Sequence, residues 1–134
     1  MKFPEWLTVY GATEYRGPCA LEFEEQALFF DYIRLQYANT YGRIALHPEN
    51  EGKRTHGQAR HSKRQGLTIG ASDIIIPGNP SFVCEIKRRD HTQSKWTNGQ
   101  LDYLRMCQFF ECVTCVALGG NAAIEAFECY LYGK

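Results

Sequence analysis

The sequence predicts an α/β domain with the element order α-β-β-β-α-β-α, spanning residues 1–134. Two observations predict this class. Segments with apolar residues at helical spacing alternate with short runs of Ile, Val, Phe and Cys, which have the length and composition of buried strands. A hydrophobic content of 44%, with eight Phe and eight Tyr, is typical of a globular core and not of a disordered tail. No internal repeat or linker-like stretch divides the sequence, so we expect one domain.

The first half of the chain is predicted to hold one long helix and one short strand. Residues 1–18 contain two Pro and two Gly and are expected to form a loop. The helix covers residues 20–38, and the strand candidate is Arg-Ile-Ala-Leu at 43–46. Residues 47–66 are polar and basic. A loop of that length in a small domain is usually functional or mobile, and part of 57–65 is expected to form a short helix.

The second half is predicted to hold a hairpin, a helix, a strand and a final helix. The hairpin strands are 73–76 and 82–87, joined by Pro-Gly-Asn-Pro at 77–80. Residues 97–111 read as a helix with apolar side chains at core spacing. Residues 112–118 are predicted to form a buried strand, which Gly119 and Gly120 break before the last helix at 122–131.

Three charged side chains are predicted to meet at the end of this hairpin. Glu85 and Lys87 are two residues apart on a strand and therefore point to one face, while Ile86 faces the core. The hairpin brings Asp73 alongside them. Two close carboxylates repel each other unless a cation lies between them, and such hard oxygen ligands suit Mg²⁺ or Mn²⁺. A lysine beside that metal can orient a water nucleophile or stabilise negative charge.

The first long helix carries acidic residues on both of its faces. At about 100° per residue, Glu24, Asp31 and Arg34 cluster on the solvent side, whereas Glu22, Glu25 and Gln26 fall on the aromatic side. Inward carboxylates are costly without a partner, which favours a nearby cation. The alternative is a frayed first turn, in which acids are favoured by the helix dipole. The helix alone leaves both interpretations open.

Gln100 also has two interpretations. Thr97-Asn98-Gly99-Gln100 fits a capping box, with Thr97 as the N-cap and Gln100 reaching back to its amide. Gln100 would equally lie at a helix start close to the predicted metal. Both roles remain open from the sequence.

The net charge is zero, but nine of the fifteen basic residues fall in two runs. One run spans 53–64 and the other spans 87–95. A basic face on a neutral protein is the electrostatic signature of a polyanion binder. The alternative is a solvated loop rich in Lys and Arg.

The six cysteines are interpreted mainly as reduced core residues. The N-terminus lacks the apolar run of a signal peptide, and no segment approaches the ~20 apolar residues of a membrane span. A cytoplasmic location is therefore expected, in a host cell if the gene is phage-encoded. Cys112 and Cys115 have the spacing of a zinc or redox pair, but a second close pair is missing.

These residues resemble a known family. Asp73 followed by Glu85-Ile86-Lys87 resembles the active-site signature of the PD-(D/E)XK nuclease superfamily, and the predicted element order matches its restriction-endonuclease-like core. The sequence is most similar to the VRR-NUC family, the virus-type replication-repair nucleases, especially its small stand-alone phage and prophage members. The resemblance covers about residues 20–131.

Four landmarks carry the resemblance. They are Glu22-Phe-Glu-Glu-Gln26, His47-Pro-Glu-Asn-Glu-Gly-Lys-Arg54, Lys63-Arg-Gln-Gly-Leu-Thr-Ile-Gly-Ala-Ser-Asp73, and Glu85-x-Lys87 followed by Gln100. One departure is that Ser72 stands where the family has Pro before the aspartate. Glu22 precedes Gln26 by four residues, as in most members, and is the first choice for the helix-one acid. Glu25 is the reserve.

The resemblance implies metal-dependent hydrolysis of a DNA phosphodiester. Asp73 and Glu85 would hold Mg²⁺ or Mn²⁺ with the Ile86 carbonyl, and Glu22 would bind the metal directly or through water. Lys87 would position the attacking water, and Gln100 would orient Lys87 or the substrate phosphate. The residues expected to track the DNA backbone are Lys53, Arg54, Lys63, Arg64, Arg88 and Arg89.

The expected substrate is branched DNA, including Holliday junctions, cut by a homodimer. Phe109, Phe110 and Tyr130 are candidates for the dimer contact. The first alternative is a nuclease of the same fold acting on flaps or ends. Two alternatives from other classes are a catalytically inactive nucleic-acid-binding module and a zinc-binding interaction protein built on Cys112 and Cys115.

Overall fold

A four-stranded mixed sheet forms the centre of the structure, which is a computed structural model describing residues 1–48 and 56–133. The elements in chain order are β1 (Thr8–Tyr10), α1 (Glu22–Gln36), α2 (Tyr41–Ile44), α3 (His56–Arg64), β2 (Ile74–Ile76), β3 (Phe82–Lys87), a single 3₁₀ turn (His91–Gln93), α4 (Gln100–Phe109), β4 (Val113–Leu118) and α5 (Gly120–Tyr132). The predicted α/β class with a mixed sheet and a C-terminal helix is confirmed.

The strand order in the sheet is β1-β4-β3-β2. β4 runs parallel to both β1 and β3, whereas β2 and β3 form the antiparallel hairpin. β3 lies inside the sheet, and all six of its residues are buried. The strand that carries the predicted acid and lysine is therefore shielded by protein on both sides.

The two faces of the sheet have separate cores. Phe82, Cys84 and Ile86 face the larger core, which α1 and α5 cover. Val83 faces the smaller core with Leu104 of α4. Because side chains alternate along a strand, Glu85 and Lys87 share the α4 face with Val83, and Ile86 faces away from them as predicted.

The strand predicted at 43–46 is wrong. Tyr41–Ile44 instead form the one-turn helix α2, in which the Ala45 amide donates to the Tyr41 carbonyl at 2.9 Å. Only Leu46 pairs with the sheet, through two 2.9 Å hydrogen bonds with Ile75. A four-residue apolar run fits a helical turn as well as a strand, and here the helical turn forms next to the end of α1.

The loop predicted at 1–18 is also wrong in part, because it contains β1. This strand has three residues, which is too short to show an alternating pattern. Its pairing partner is β4, far along the chain, with Val9 opposite Val116. Strand formation here depends on a long-range contact that local sequence does not reveal.

The zinc alternative is not supported by the position of the two cysteines. Cys115 is buried in the α1/α5 core, whereas Cys112 packs on the α4 side of the sheet. Cys112 and Cys115 are both free thiols. Among the described residues, no helix has the length and apolar character needed to cross a membrane.

Candidate active site

The predicted acids and lysine meet where β3 ends, between the starts of β2, α1 and α4. Asp73 lies one residue before β2 and is 8% exposed. Its Oδ2 accepts a 2.8 Å hydrogen bond from the Ile86 amide, across the hairpin. This bond replaces the strand pairing predicted for Asp73 and fixes its carboxylate beside β3.

Glu85 is the most strongly perturbed acid of the site. It is 1% exposed, and its Oε1 accepts a 3.0 Å hydrogen bond from Gln100 Nε2. Its Oε2 is buried and has no hydrogen-bond partner among the described residues. Burial raises the pKa of Glu85 well above its ordinary value, the charge of Asp73 raises it further, and the Lys87 ammonium opposes the rise. Burial and a neighbouring acid of this kind favour a cation beside the carboxyl.

Lys87 is 1% exposed, and other protein groups fix its ammonium in place. Nζ donates to the Lys95 carbonyl at 2.7 Å and to Gln100 Oε1 at 2.9 Å. It also lies 5.1 Å from the centroid of the Trp96 ring, a distance at which the ring face attracts a cation. The lysine is held by the segment before α4 and not by a direct bond to Glu85.

Gln100 combines the two roles that the sequence left open. Its Oε1 accepts from the Thr97 amide at 2.9 Å, which is the capping-box contact, although the N-cap residue is Gly99. The same oxygen accepts from Lys87, and its Nε2 donates to Glu85. The Gln100 side chain therefore accepts the capping-box hydrogen bond before α4 and also connects the buried Glu85 to the buried Lys87.

The two helix-one glutamates have different surroundings. Glu22 is half-buried, and its Oε2 accepts a 2.7 Å hydrogen bond from Ser94 Oγ. Its charge also contributes to the raised pKa of Glu85. Glu25 is buried, and its Oε1 accepts a 3.2 Å bond from the Gly120 amide at the start of α5. Glu22 is directed to the site, whereas Glu25 connects two helices.

Two glycines bring the Asp73 segment against α4. A Cβ on Gly70 would lie 2.3 Å from the carbonyl carbon of Gly99 and 2.7 Å from the Gln100 nitrogen. Gly70 and Gly99 also have φ values of +81° and +85°, which L side chains rarely adopt. The close approach of these backbones sets the distance between Asp73 and Gln100.

Four supporting residues had no assigned role in the sequence analysis. The His47 ring is one of them: its Nδ1 donates to the Asp73 carbonyl at 2.8 Å. The others are Ser94, Lys95 and Trp96, which contact Glu22 or Lys87. Trp96 stood in the sequence as an isolated aromatic residue, which is a weak signal, and His47 stood only as the first residue of the second family landmark. The Lys95 contact uses a backbone carbonyl and has no sequence signal at all.

The donors at this position fit a hard divalent cation. In an extended strand the N–H and C=O of one residue point to the same edge. The Ile86 amide meets Asp73, so the Ile86 carbonyl points to that edge too. Together with the Glu85 oxygen that has no partner, this gives oxygen ligands of the type that Mg²⁺ and Mn²⁺ prefer. Within residues 1–48 and 56–133, no group of three or more His, Cys, Asp or Glu side chains is arranged to hold a metal ion.

The six predicted DNA-binding residues differ in their surroundings. Lys63 and Arg64 are exposed on the last turn of α3. Arg89 is exposed, and its guanidinium stacks on Tyr15 at 4.3 Å from the ring centroid. Lys53 and Arg54 lie outside the described residues.

Arg88 is partly buried, and its side chain is hydrogen-bonded within the fold. Its Nε donates to the Ala20 carbonyl at 3.0 Å and its Nη2 to the Cys19 carbonyl at 2.8 Å. These bonds hold the segment before α1 against the end of β3. Contact with DNA stays a prediction for all six residues, and Arg88 in addition holds the start of α1 in position through two of its N–H donors.

The three residues predicted for the dimer contact also differ in exposure. Phe109 and Phe110 are exposed at the end of α4. Tyr130 instead packs against Phe82 and Phe127, and its hydroxyl donates to the Pro80 carbonyl at 2.7 Å. Tyr130 is partly buried against the core, so less of its ring is available for an intermolecular contact than of Phe109 or Phe110.

Comparison with solved structures shows a likeness over most of the chain. The chain is similar to a solved VRR_NUC domain protein, with a TM-score of 0.67 and 22% sequence identity. The match covers 88% of this chain and 92% of that one. The chain has the fold of a VRR_NUC domain protein. No protein-family model and no curated protein matches the sequence. The likeness agrees with the fold that the four sequence landmarks imply.

Proposed function

We propose that the protein is a VRR-NUC nuclease, a metal-dependent and structure-selective DNA endonuclease that hydrolyses phosphodiesters. One observation carries the proposal: the buried carboxyls of Asp73 and Glu85 lie together at a strand end, beside a buried lysine that Gln100 connects to Glu85. Burying three charged groups is costly for a fold. A nuclease site accounts for that cost, whereas a DNA-binding surface gains nothing from acids that face phosphate.

Asp73, Glu85 and the Ile86 carbonyl would hold Mg²⁺ or Mn²⁺, with Glu22 acting directly or through a water. When bound, the metal would supply a Lewis acid for the scissile phosphate and lower the pKa of a water. Glu85 Oε2, which is buried without a hydrogen-bond partner among the described residues, supports this assignment.

Lys87 would position the attacking water or stabilise charge on the phosphate. Its ammonium has three N–H donors, of which two are used by the Lys95 carbonyl and Gln100. We propose that the third donates to the water or to a non-bridging phosphate oxygen. Gln100 keeps the ammonium in that orientation, since its own amide is fixed by Glu85 and the Thr97 amide.

Lys63, Arg64 and Arg89 would contact the DNA backbone, because α3 carries basic residues in its last turn and no acid in its first. The favoured substrate is branched DNA such as a Holliday junction, cut by a homodimer. A two-fold protein would place one site at each of two related strands. Met106, Phe109 and Phe110 offer an exposed apolar surface for the dimer contact.

A cleavage panel tests the proposal. Purified protein is incubated with four-way junction, flap, duplex and single-stranded DNA, with and without Mn²⁺, beside the variants Lys87→Ala and Arg43→Ala. We expect Mn²⁺-dependent cutting of the junction that Lys87→Ala abolishes and Arg43→Ala preserves, since Arg43 is exposed on α2 outside both basic runs. Cleavage of flaps or ends alone would favour the alternative nuclease. Binding without cleavage in any metal would favour the inactive binding module.

A further inference from the structure

A groove beside the proposed active site has the chemistry of a nucleobase site. It has a volume of about 260 Å³ and lies between α1 and His47. Phe23 stands at its edge with 66% of its surface exposed, although burial of an aromatic ring is strongly favourable. An exposed ring next to a proposed catalytic residue requires an explanation other than core packing.

One hydrogen bond and the neighbouring positions on α1 connect the groove to the active site. Phe23 directly follows Glu22 on α1, and Gln26 lies one turn further along the same helix. On the opposite wall, His47 Nδ1 donates to the Asp73 carbonyl. The groove therefore lies on the side of α1 and His47 that adjoins Glu22 and Asp73.

The polar groups of the groove suit a base better than a phosphate. Gln26 offers an amide donor and acceptor, and Asp31 offers a carboxylate that accepts from exocyclic amino groups. Arg34 lies 5.1 Å from the Phe30 ring centroid and balances the charge of Asp31. A groove with one acid and one base has no net attraction for phosphate, in contrast to the acid-free basic end of α3.

We propose that this groove, which we call the Phe23 groove, binds an unpaired nucleobase next to the scissile phosphate, with its ring stacked on Phe23. The proposal rests on the nuclease function and narrows its substrate to DNA that exposes an unpaired base beside the cut, at a branch point or in a single-stranded arm. A base inside a duplex is already stacked and would have to leave the helix to enter the groove.

The test is a binding cycle without metal, so that no cleavage occurs. Two branched DNAs are compared by fluorescence anisotropy in EDTA. Both have the same short single-stranded arm, but in one of them every arm nucleotide is abasic, so only the bases differ. We expect wild-type protein to bind the intact arm about tenfold more tightly, the factor typical of one base–aromatic stack. Phe23→Ala should bind both DNAs equally, and Phe23→Trp should restore the preference.

The matched control is Leu35→Ala, which removes another exposed apolar side chain of α1 outside the groove. It should keep the wild-type preference. Equal loss of affinity for both DNAs in Phe23→Ala, or a retained preference, would overturn the groove assignment. A base preference that depends on Phe23, without cleavage in any metal, would support the groove and contradict the nuclease. Cleavage without a base preference would support the nuclease and overturn the groove assignment. Absence of any DNA binding would overturn both proposals.

Discussion

The two ends of α4 have contrasting surroundings. At its first residue, Gln100 bonds to Glu85, to Lys87 and to the Thr97 amide, inside a cluster of buried charges. At its last turn, Met106 and Phe109 are exposed, followed directly by exposed Phe110. One helix therefore begins among buried polar groups and ends among exposed apolar ones.

Each end departs from what stability alone would select. Burial of charged groups costs free energy unless partners compensate it, and contiguous exposed apolar groups are uncommon on monomers. We propose that the first departure serves chemistry on a bound phosphate and that the second serves a contact with another protein surface. Substitutions at the two ends of α4 and at the acids near its start test these two explanations, from the largest expected effect to the smallest.

Lys87→Ala should have the largest effect on activity. Loss of a positioned charge stabiliser typically costs about 10²–10³ in rate. DNA binding and Mn²⁺ binding should remain within a few-fold of wild type, because the proposed ligands and phosphate contacts are elsewhere. Cleavage rates and anisotropy measured on the same preparation check this. Activity close to that of wild type would remove Lys87 from the mechanism.

Substitution of Glu22 should lower activity, whereas substitution of Glu25 should lower stability. Glu22→Gln should reduce cleavage by about 10–100-fold, as loss of a group that binds or orients a metal does, with little change in Tm. Glu25→Gln should lower stability by about 1 kcal/mol, because it removes a negative charge from the start of α5. Exposed Glu24→Gln is the control. If Glu25→Gln instead impairs cleavage at unchanged Tm, the reserve assignment is the correct one.

Phe109→Ser with Phe110→Ser should convert the proposed dimer to a monomer. Loss of a central aromatic contact weakens association by about 2 kcal/mol or more, roughly 30-fold in Kd. Leu35→Ser is a matched control, since Leu35 and Phe109 are each 77% exposed. Light scattering at micromolar concentration reads the outcome. A wild-type mass of about one chain, with and without junction DNA, would refute the dimer.

Glu85→Gln should leave the metal-free protein at least as stable as wild type. The pKa of Glu85 is raised by burial and by Asp73, so ionisation of this group opposes folding as pH rises above the ordinary range of a glutamate. A neutral amide removes that repulsion and keeps an oxygen for Gln100. Thermal unfolding in EDTA at pH 8 measures the difference in Tm between Glu85→Gln and wild type. A clear fall in Tm relative to Glu24→Gln would show that Glu85 has a stabilising role that the repulsion argument does not include.

The reactive core of the site was predictable from sequence because strand periodicity is local. Glu85 and Lys87 share a face by their spacing alone, and the Pro-Gly-Asn-Pro turn places Asp73 opposite them. Gln100 was identified from a capping pattern, and the structure shows that this pattern and its contacts to the acid and lysine occur together.

The supporting contacts were not predictable, since they depend on the folded backbone. Lys95 contributes a carbonyl, and Gly70 matters because it touches Gly99. Arg88 belongs to a basic run predicted to contact phosphate, and its guanidinium also holds the segment before α1. Composition identifies a basic run but does not show which of its members are already bound within the fold.

Mn²⁺ titration calorimetry on wild type, Asp73→Asn and Lys87→Ala tests the central claim most directly, namely that the buried acid pair is a cation site. We expect Mn²⁺ binding in wild type, binding that is weakened at least tenfold in Asp73→Asn, and nearly unchanged binding in Lys87→Ala, whose ammonium is held by Lys95 and Gln100 and is not a ligand. Equal Mn²⁺ affinity in wild type and Asp73→Asn would contradict the account.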